Sequence, residues 1–485
     1  MTATPVGRVA GVILAAGRSS RFGGSKLAVD LDGRPLVRHV LDTAIEAGLD
    51  PIVAVTRGDE RAPGLDLHPA RVVVNPHPDD GLSGSVRLGL AALDADPGID
   101  RAVILLGDQP RIRASTIRAL VEASTAEQPL TVARYSEDGA PNPIVAHREA
   151  WRLADDLAGD RGFGPILERH PELVRHVPVE GVNPDVDTPA DLLALRWADR
   201  VRANREQVDR RREVPDGADF YGPVTDLFVA DPDRRDDPVL GLLLALARPD
   251  DTWLDVGSGA GRYALPLARA VREVIALDPS AGMLRALREG MTRHAIGNLR
   301  VVEARWPPSI DPRAAGLAAD VVLVAHVGYD IEHIGPFIDA LEIAARRLLV
   351  AVMMNRPPAS LADPFWPLVH GEERRALPAL PELVALLEAR GVRPEVRRVP
   401  RPGRVFASRD ELLGFLRRQT WVAPGGERDR RLADELDRRL IRHPDGSVAI
   451  PDDRGEVGIV TWPPPRSGRS AVSDEGAAGA RSATH

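Results

Sequence analysis

The sequence predicts two Rossmann-like three-layer α/β domains, each on a mostly parallel sheet, joined by a charged linker. Three observations predict it. Short apolar runs alternate with amphipathic stretches in two blocks, as strand and helix do in parallel sheets. Each block opens with an apolar strand that runs into a glycine-rich turn. Between them, residues 198–216, ADRVRANREQVDRRREVPD, are strongly charged and almost free of large apolar side chains. That composition reads as a solvated helix or a linker.

The elements follow in order. In the first domain, residues 1–197, the expected strands are 9–14, 51–55, 71–74 and 102–106, with an amphipathic stretch at 35–47. In the second, residues 217–462, they are 253–256, 273–277, 299–302, 321–325 and 347–352, with a helical pattern at 263–271. Residues 463–485 are Pro, Gly, Ser and Ala without periodicity and are expected to be disordered. There is no internal repeat.

Composition narrows the function classes. The net charge is −8 over 485 residues, with acids and arginines interleaved, so no basic stripe marks a nucleic-acid partner. With no cysteine there is no disulfide, thiolate metal site or cysteine nucleophile, which fits a cytoplasmic protein. The apolar run near the N-terminus is too short to span a bilayer and reads as a buried strand, so no membrane partner is expected.

Lys26 is the single lysine among 63 basic side chains. An ammonium reaches a phosphate as a compact point charge, whereas guanidinium is a broad fork, so Lys26 reads as functional. It closes the run Leu14-Ala15-Ala16-Gly17-Arg-Ser-Ser-Arg21-Phe-Gly23-Gly24-Ser-Lys26. After a buried strand, these glycines let the backbone approach a polyphosphate while N–H groups attract anions. The P-loop spacing is absent.

That run resembles the signature of the molybdenum-cofactor nucleotidyltransferase family at every fixed position. Gly107-Asp108-Gln109-Pro110 follows an apolar strand, which puts a carboxylate at the carboxyl end of a parallel sheet. The resemblance makes Asp108 a Mg²⁺ ligand and, in Asp185-Val-Asp187-Thr-Pro, Asp187 the second. It lays Leu14 to Gly17 and the segment Gly81 to Arg87, with Ser85, against the nucleotide, and it matches Gly159-Asp-Arg-Gly162 to another family loop. The implied reaction is in-line attack by an anionic acceptor on the α-phosphorus of an NTP, with Lys26 and Arg21 on the phosphates and pyrophosphate leaving. Ala16-Gly17, where guanylyl-transferring relatives carry Gly-Gly, favours CTP. The family's acceptor segment Gly-His-Pro reads Gly139-Ala-Pro-Asn142-Pro143 here, so the acceptor stays open between molybdopterin and another phosphorylated small molecule. Molybdoenzyme-maturation partners are implied by the same resemblance.

The second turn is Asp255-Val-Gly257-Ser-Gly259-Ala-Gly261-Arg262, and the next strand ends at Asp278, where a carboxylate can take ribose hydroxyls. A dinucleotide fingerprint would want Gly at Arg262. Asp255-x-Gly-x-Gly-x-Gly instead resembles the class I S-adenosylmethionine-dependent methyltransferases. The resemblance puts the glycine turn beside the methionine part, Asp278 on ribose, Glu303 and Ala304 near adenine, and His326 and Tyr329 at the active-site rim. His326 reads as a general base or as a cap for the following turn. The methyl acceptor stays open, and the Arg-rich surface at 391–404 could meet an acidic one or be a solvated face. The expectation is thus a nucleotidyltransferase fused to a methyltransferase, with small-molecule substrates. The alternatives are a regulatory nucleotide or S-adenosylmethionine sensor, or a sugar-phosphate nucleotidyltransferase with an inactive second domain.

Overall fold

The computed structural model describes residues 7–58, 65–136, 141–215, 225, 228–451 and 455–465. The chain divides between Leu192 and Leu193 into two compact units.

The first unit is a seven-stranded sheet of β1 (Arg8–Ala15), β2 (Ile52–Arg57), β3 (Arg71–Asn75), β4 (Ile99–Leu106), β5 (Leu130–Tyr135), β6 (Ile144–His147) and β7 (Val174–Val179). Their order is β3-β2-β1-β4-β6-β5-β7. The first four strands in that order run parallel, β6 is antiparallel to both β4 and β5, and β7 is parallel to β5. Helices cover the sheet because their apolar stripes match it. In α1 (Leu36–Glu46), Leu36, Val37, Val40, Leu41 and Ala44 are buried at helical spacing. Pairing of Leu14 with Leu106 sets the ends of β1 and β4 level, so the residues after them share one edge.

The second unit is also a seven-stranded sheet: β8 (Thr252–Val256), β9 (Glu273–Asp278), β10 (Leu299–Glu303), β11 (Ala319–Ala325), β12 (Ala345–Met354), β13 (Glu395–Arg401) and β14 (Gly455–Trp462). The order is β10-β9-β8-β11-β12-β14-β13. The first five strands of that order are parallel, and β14 runs antiparallel between β12 and β13. An open dinucleotide fold instead keeps its sixth strand next to its fifth. Both units are therefore Rossmann-like α/β folds on mixed, mostly parallel sheets.

One expectation needs correction. Residues 198–211 are no linker, because they lie in the helix Pro189–Arg211. Trp197, Val201, Asn204 and Gln207 are buried at helical spacing. The Gln207 amide donates to Glu373 O at 2.8 Å and accepts from Arg375 N–H at 2.7 Å. Polar side chains bury here because backbone groups satisfy them. The segment therefore belongs to the second unit. The Arg-rich stretch 391–404 is a largely solvated face, as one of its two readings expected: it contains the edge strand β13, with its arginines on a mostly exposed strand and Val399 buried. Charges on an edge discourage pairing with another chain. Of the expected disordered tail, residues 466–485 lie outside the described residues.

Candidate functional site

At the carboxyl edge of the first sheet, three chain segments converge on one ammonium. Leu14, Ala15 and Ala16 are buried at the end of β1. A Cβ on Gly17 would meet nothing within 4 Å, so the turn faces open space. Lys26 is buried, and its Nζ donates to Asp108 Oδ2 at 2.7 Å and to Asp187 Oδ1 at 2.8 Å. Backbone bonds hold these segments together: Gly107 N–H donates to Leu14 O at 2.9 Å and Val186 N–H to Asp108 O at 3.0 Å. The Asp191 carboxylate accepts the N–H groups of Asp187 and Thr188 at 3.1 and 2.7 Å, which fixes the loop as a helix cap. Arg21 stands at the edge, Nη1 4.0 Å from Asp187 Oδ2.

Charge balance organises this cluster. Burial pulls the Lys26 pKa down, but Asp108 and Asp187 outweigh it and hold the ammonium above the ordinary lysine value. Burial and then the Asp108 charge push Asp185 up to about 6. Gln109 works against that by donating to Asp185 Oδ1 at 2.6 Å, and its own Oε1 accepts from Asn183 Nδ2 at 2.9 Å. Sequence reasoning missed this relay. Its one signal was Gln109 beside Asp108. The Asp108 Oδ1 atom is buried without a hydrogen-bond partner. A free hard oxygen beside a second carboxylate is a donor set that could hold a divalent cation.

Other expected contacts are placed differently. Lys26, expected on phosphates, lies between the two carboxylates expected to hold metal. Ser85 is buried, and its Oγ accepts from Asn75 Nδ2 at 3.0 Å. Gly81 and the Gly159 to Gly162 loop do meet: a Cβ on Gly81, φ +93°, would lie 2.5 Å from the Gly159 carbonyl. Asp160 Oδ1 accepts Leu82 N–H at 3.1 Å, so the loop caps the helix Leu82–Asp94. Of the acceptor segment, Asn142 is described, its carbonyl accepting from Tyr135 Oη at 2.8 Å. Gly139 and Ala140 lie outside the described residues.

In the second unit, the glycine turn leaves β8 at Asp255. Gly257 has φ +75°, and a Cβ there would lie 2.4 Å from Val327 Cγ2. The Asp278 carboxylate accepts Gly259 N–H at 2.9 Å and Ser280 N–H at 2.8 Å, which ties the turn to the end of β9. Register pairs Asp278 with Glu303, and Ala304 N–H donates to Asp278 O at 3.3 Å, so both residues expected near adenine stand beside Asp278. Asp255 is buried, its Oδ1 without a partner; burial and then Asp278 push it up to about 7. Gly261 continues the turn at φ +87°. His326 follows β11 directly. Tyr329, expected at the rim, is buried with its hydroxyl accepting Met354 N–H at 2.7 Å. That bond satisfies a buried hydroxyl that would be costly unpaired.

Among the described residues, no helix is long and apolar enough to cross a membrane. Comparison with known proteins divides the chain in the same way. Residues 11–174 match the model of the MobA-like NTP transferase domain, and residues 254–347 match a methyltransferase domain. A "probable molybdenum cofactor guanylyltransferase" of Haloferax mediterranei is 32% identical over 152 residues, 30% of this chain and 68% of that protein. A 3-deoxy-manno-octulosonate cytidylyltransferase of Rhodopseudomonas palustris is 35% identical over 135 residues, 26% of this chain and 53% of that one. The bifunctional protein GlmU of Clavibacter sepedonicus is 39% identical over 121 residues, 24% of each chain, so the match spans about a quarter of its length.

Proposed function

Since the chain belongs to the MobA-like NTP transferase family over residues 11–174 and carries a methyltransferase domain over 254–347, we propose that it couples two transfer sites. The first moves a nucleoside monophosphate from CTP to a phosphorylated small molecule, molybdopterin among the candidates, and the second takes its methyl group from S-adenosylmethionine.

The observation that carries the first half is the Lys26 ammonium held between Asp108 and Asp187 at the edge where the β1 turn opens. Asp108 and Asp187 would hold Mg²⁺, which supplies neutralisation of the triphosphate. The partnerless Asp108 Oδ1 supports that assignment. Once the carboxylates have another cation, Lys26 is free to turn to the phosphates, with Arg21 at the rim. An acceptor phosphate oxygen then bonds to the α-phosphorus as the bond to the β-phosphate oxygen breaks and pyrophosphate departs. Such an acceptor is already ionised, so these residues need only position and neutralise. CTP rests on Ala16 before Gly17. Partners in molybdoenzyme maturation follow if molybdopterin is the acceptor.

The second half rests on the Gly257 to Gly261 turn, where a Cβ on Gly259 would meet only Met283 Sδ, at 3.9 Å, and so leaves room for a ligand beside Asp278. Pyrophosphate release from each of the four NTPs, against phosphorylated acceptors including molybdopterin, tests the first half. No release with any pair would refute it, and a preference for GTP would remove CTP. Calorimetry of the full chain should detect S-adenosylmethionine and not NAD; the reverse would refute the second half.

A further inference from the structure

Beside the glycine turn of the second unit lies a cluster that cofactor binding does not use. His326 holds φ +58°, a left-handed conformation uncommon outside glycine, with its N–H donating to Val352 O at 2.8 Å. Its Nδ1 is buried without a partner. The neighbouring Val327 is the side chain that packs on Gly257, so His326 stands next to the cofactor turn.

Tyr263 links His326 to two arginines. Its ring centroid lies 6.4 Å from the imidazole, and the guanidinium carbons of Arg234 and Arg262 each stand 5.6 Å from it. Both guanidiniums also reach Asp237 Oδ2, each at 3.0 Å. Asp237 Oδ1 is committed to capping a helix, accepting Val239 and Leu240 N–H at 3.0 and 3.1 Å. One carboxylate therefore faces two guanidiniums, and Arg234 Nη2 is buried without a partner. The cluster is a positive charge short of an anion, beside an imidazole short of a donor.

We propose that this cluster is the methyl-acceptor site and that the acceptor is an anionic small molecule, its carboxylate or phosphate held by Arg262 and Arg234 and its hydroxyl or amine presented to His326 Nδ1. The inference rests on the S-adenosylmethionine reading of this unit. In the step, the nucleophile's lone pair bonds to the methyl carbon, the C–S pair returns to sulfur, and the nucleophile's proton passes to His326 Nδ1. Burial and then the Arg262 charge push the His326 pKa down to about 4, with Arg401 acting the same way and Asp237 against. The ring is thus neutral and able to accept a proton. An acceptor anion on Arg262 cancels part of that depression, so His326 gains basicity when the acceptor is in place.

The test uses the full chain saturated with S-adenosylhomocysteine and labelled at histidine, with the His326 resonance assigned by its loss in His326→Gln. Inorganic phosphate and benzoate are the probes, and benzamide is the neutral control. At least one anion should shift that resonance and raise the His326 pKa by about one unit. Phosphate alone, or benzoate alone, identifies which anion the acceptor carries. Arg262→Ala should weaken that probe at least ~10-fold, as loss of a charge-assisted pair does, with S-adenosylhomocysteine affinity unchanged. Arg262→Gln gives the same comparison should the alanine variant unfold. No shift with either anion, equal binding of benzamide, or unchanged probe affinity in the folded Arg262 variants would overturn the site. Absence of S-adenosylhomocysteine binding to the wild type would instead overturn the cofactor reading, and the inference with it.

Discussion

Replacing Lys26 by methionine removes the ammonium and keeps most of the side-chain volume. Lys26 is 9% exposed at its side chain, Asp108 22% and Asp187 47%. Solvent screens the Asp187 pair, so the loss falls mainly on the Asp108 pair, where deleting one partner strands a largely buried carboxylate. That deletion should cost about 3 kcal/mol. The two carboxylates, with Asp185 nearby, then face each other without a cation. A divalent ion should bind the folded variant in their place and restore stability through linkage. Urea unfolding of both proteins, with and without millimolar Mg²⁺, reads this directly. Lys26→Met should be less stable without metal and should gain more from Mg²⁺ than the wild type gains. Equal stability without metal, or equal gains with it, would refute the argument that the ammonium stands in for a cation.

Asp255 gives a pH test. Its folded pKa of about 7 lies above the ordinary 3.8, so its contribution is full below the unfolded value and is lost as pH rises through 7. Asp255→Asn should therefore gain on the wild type by a few kcal/mol between pH 5 and pH 8; parallel pH profiles would show that Asp255 ionises normally. A fragment of residues 193–485 should fold, whereas one of 217–485 should lose several kcal/mol because Gln207 and Trp197 vanish from the core. Equal urea midpoints for the two fragments would contradict the helix assignment. Gly81→Ala, forced against the Gly159 carbonyl at φ +93°, should destabilise the first unit by more than about 1 kcal/mol, and a neutral effect on melting would mean that the loop yields.

The central parallel strands were legible because both of their faces are buried, which leaves continuous runs such as Val-Ile-Leu-Leu in β4. The added strands were not. β7, Val-Arg-His-Val-Pro-Val, and β13, Glu-Val-Arg-Arg-Val-Pro-Arg, lie at sheet edges and carry charge at their exposed positions. For residues 198–211 a helix was one of the two readings, and what escaped was its buried face. Its buried stripe includes Asn204 and Gln207, which no hydrophobic pattern marks. Lys26, Asp108 and Asp187 could be named from the chain because each stands in a local motif. The Asn183–Gln109–Asp185 relay and the Arg234–Asp237–Arg262 cluster join distant segments, and only folding brings them together. Local sequence did not show that the hydroxyls of Ser85 and Tyr329 accept from Asn75 and Met354.

The central claim is that the first unit transfers a nucleotide through the Lys26, Asp108 and Asp187 cluster. Asp108→Asn preserves size and leaves the backbone bond to Val186 N–H in place, while it removes the charge that pairs with the Lys26 ammonium and that the proposed cation would need. The most direct measurement is the rate of nucleotidyl transfer by wild type and Asp108→Asn on the acceptor the wild type uses, both shown folded by circular dichroism. The account predicts a loss of at least ~10²-fold, the scale of one preorganised electrostatic contact. Near wild-type transfer by the folded variant would contradict it.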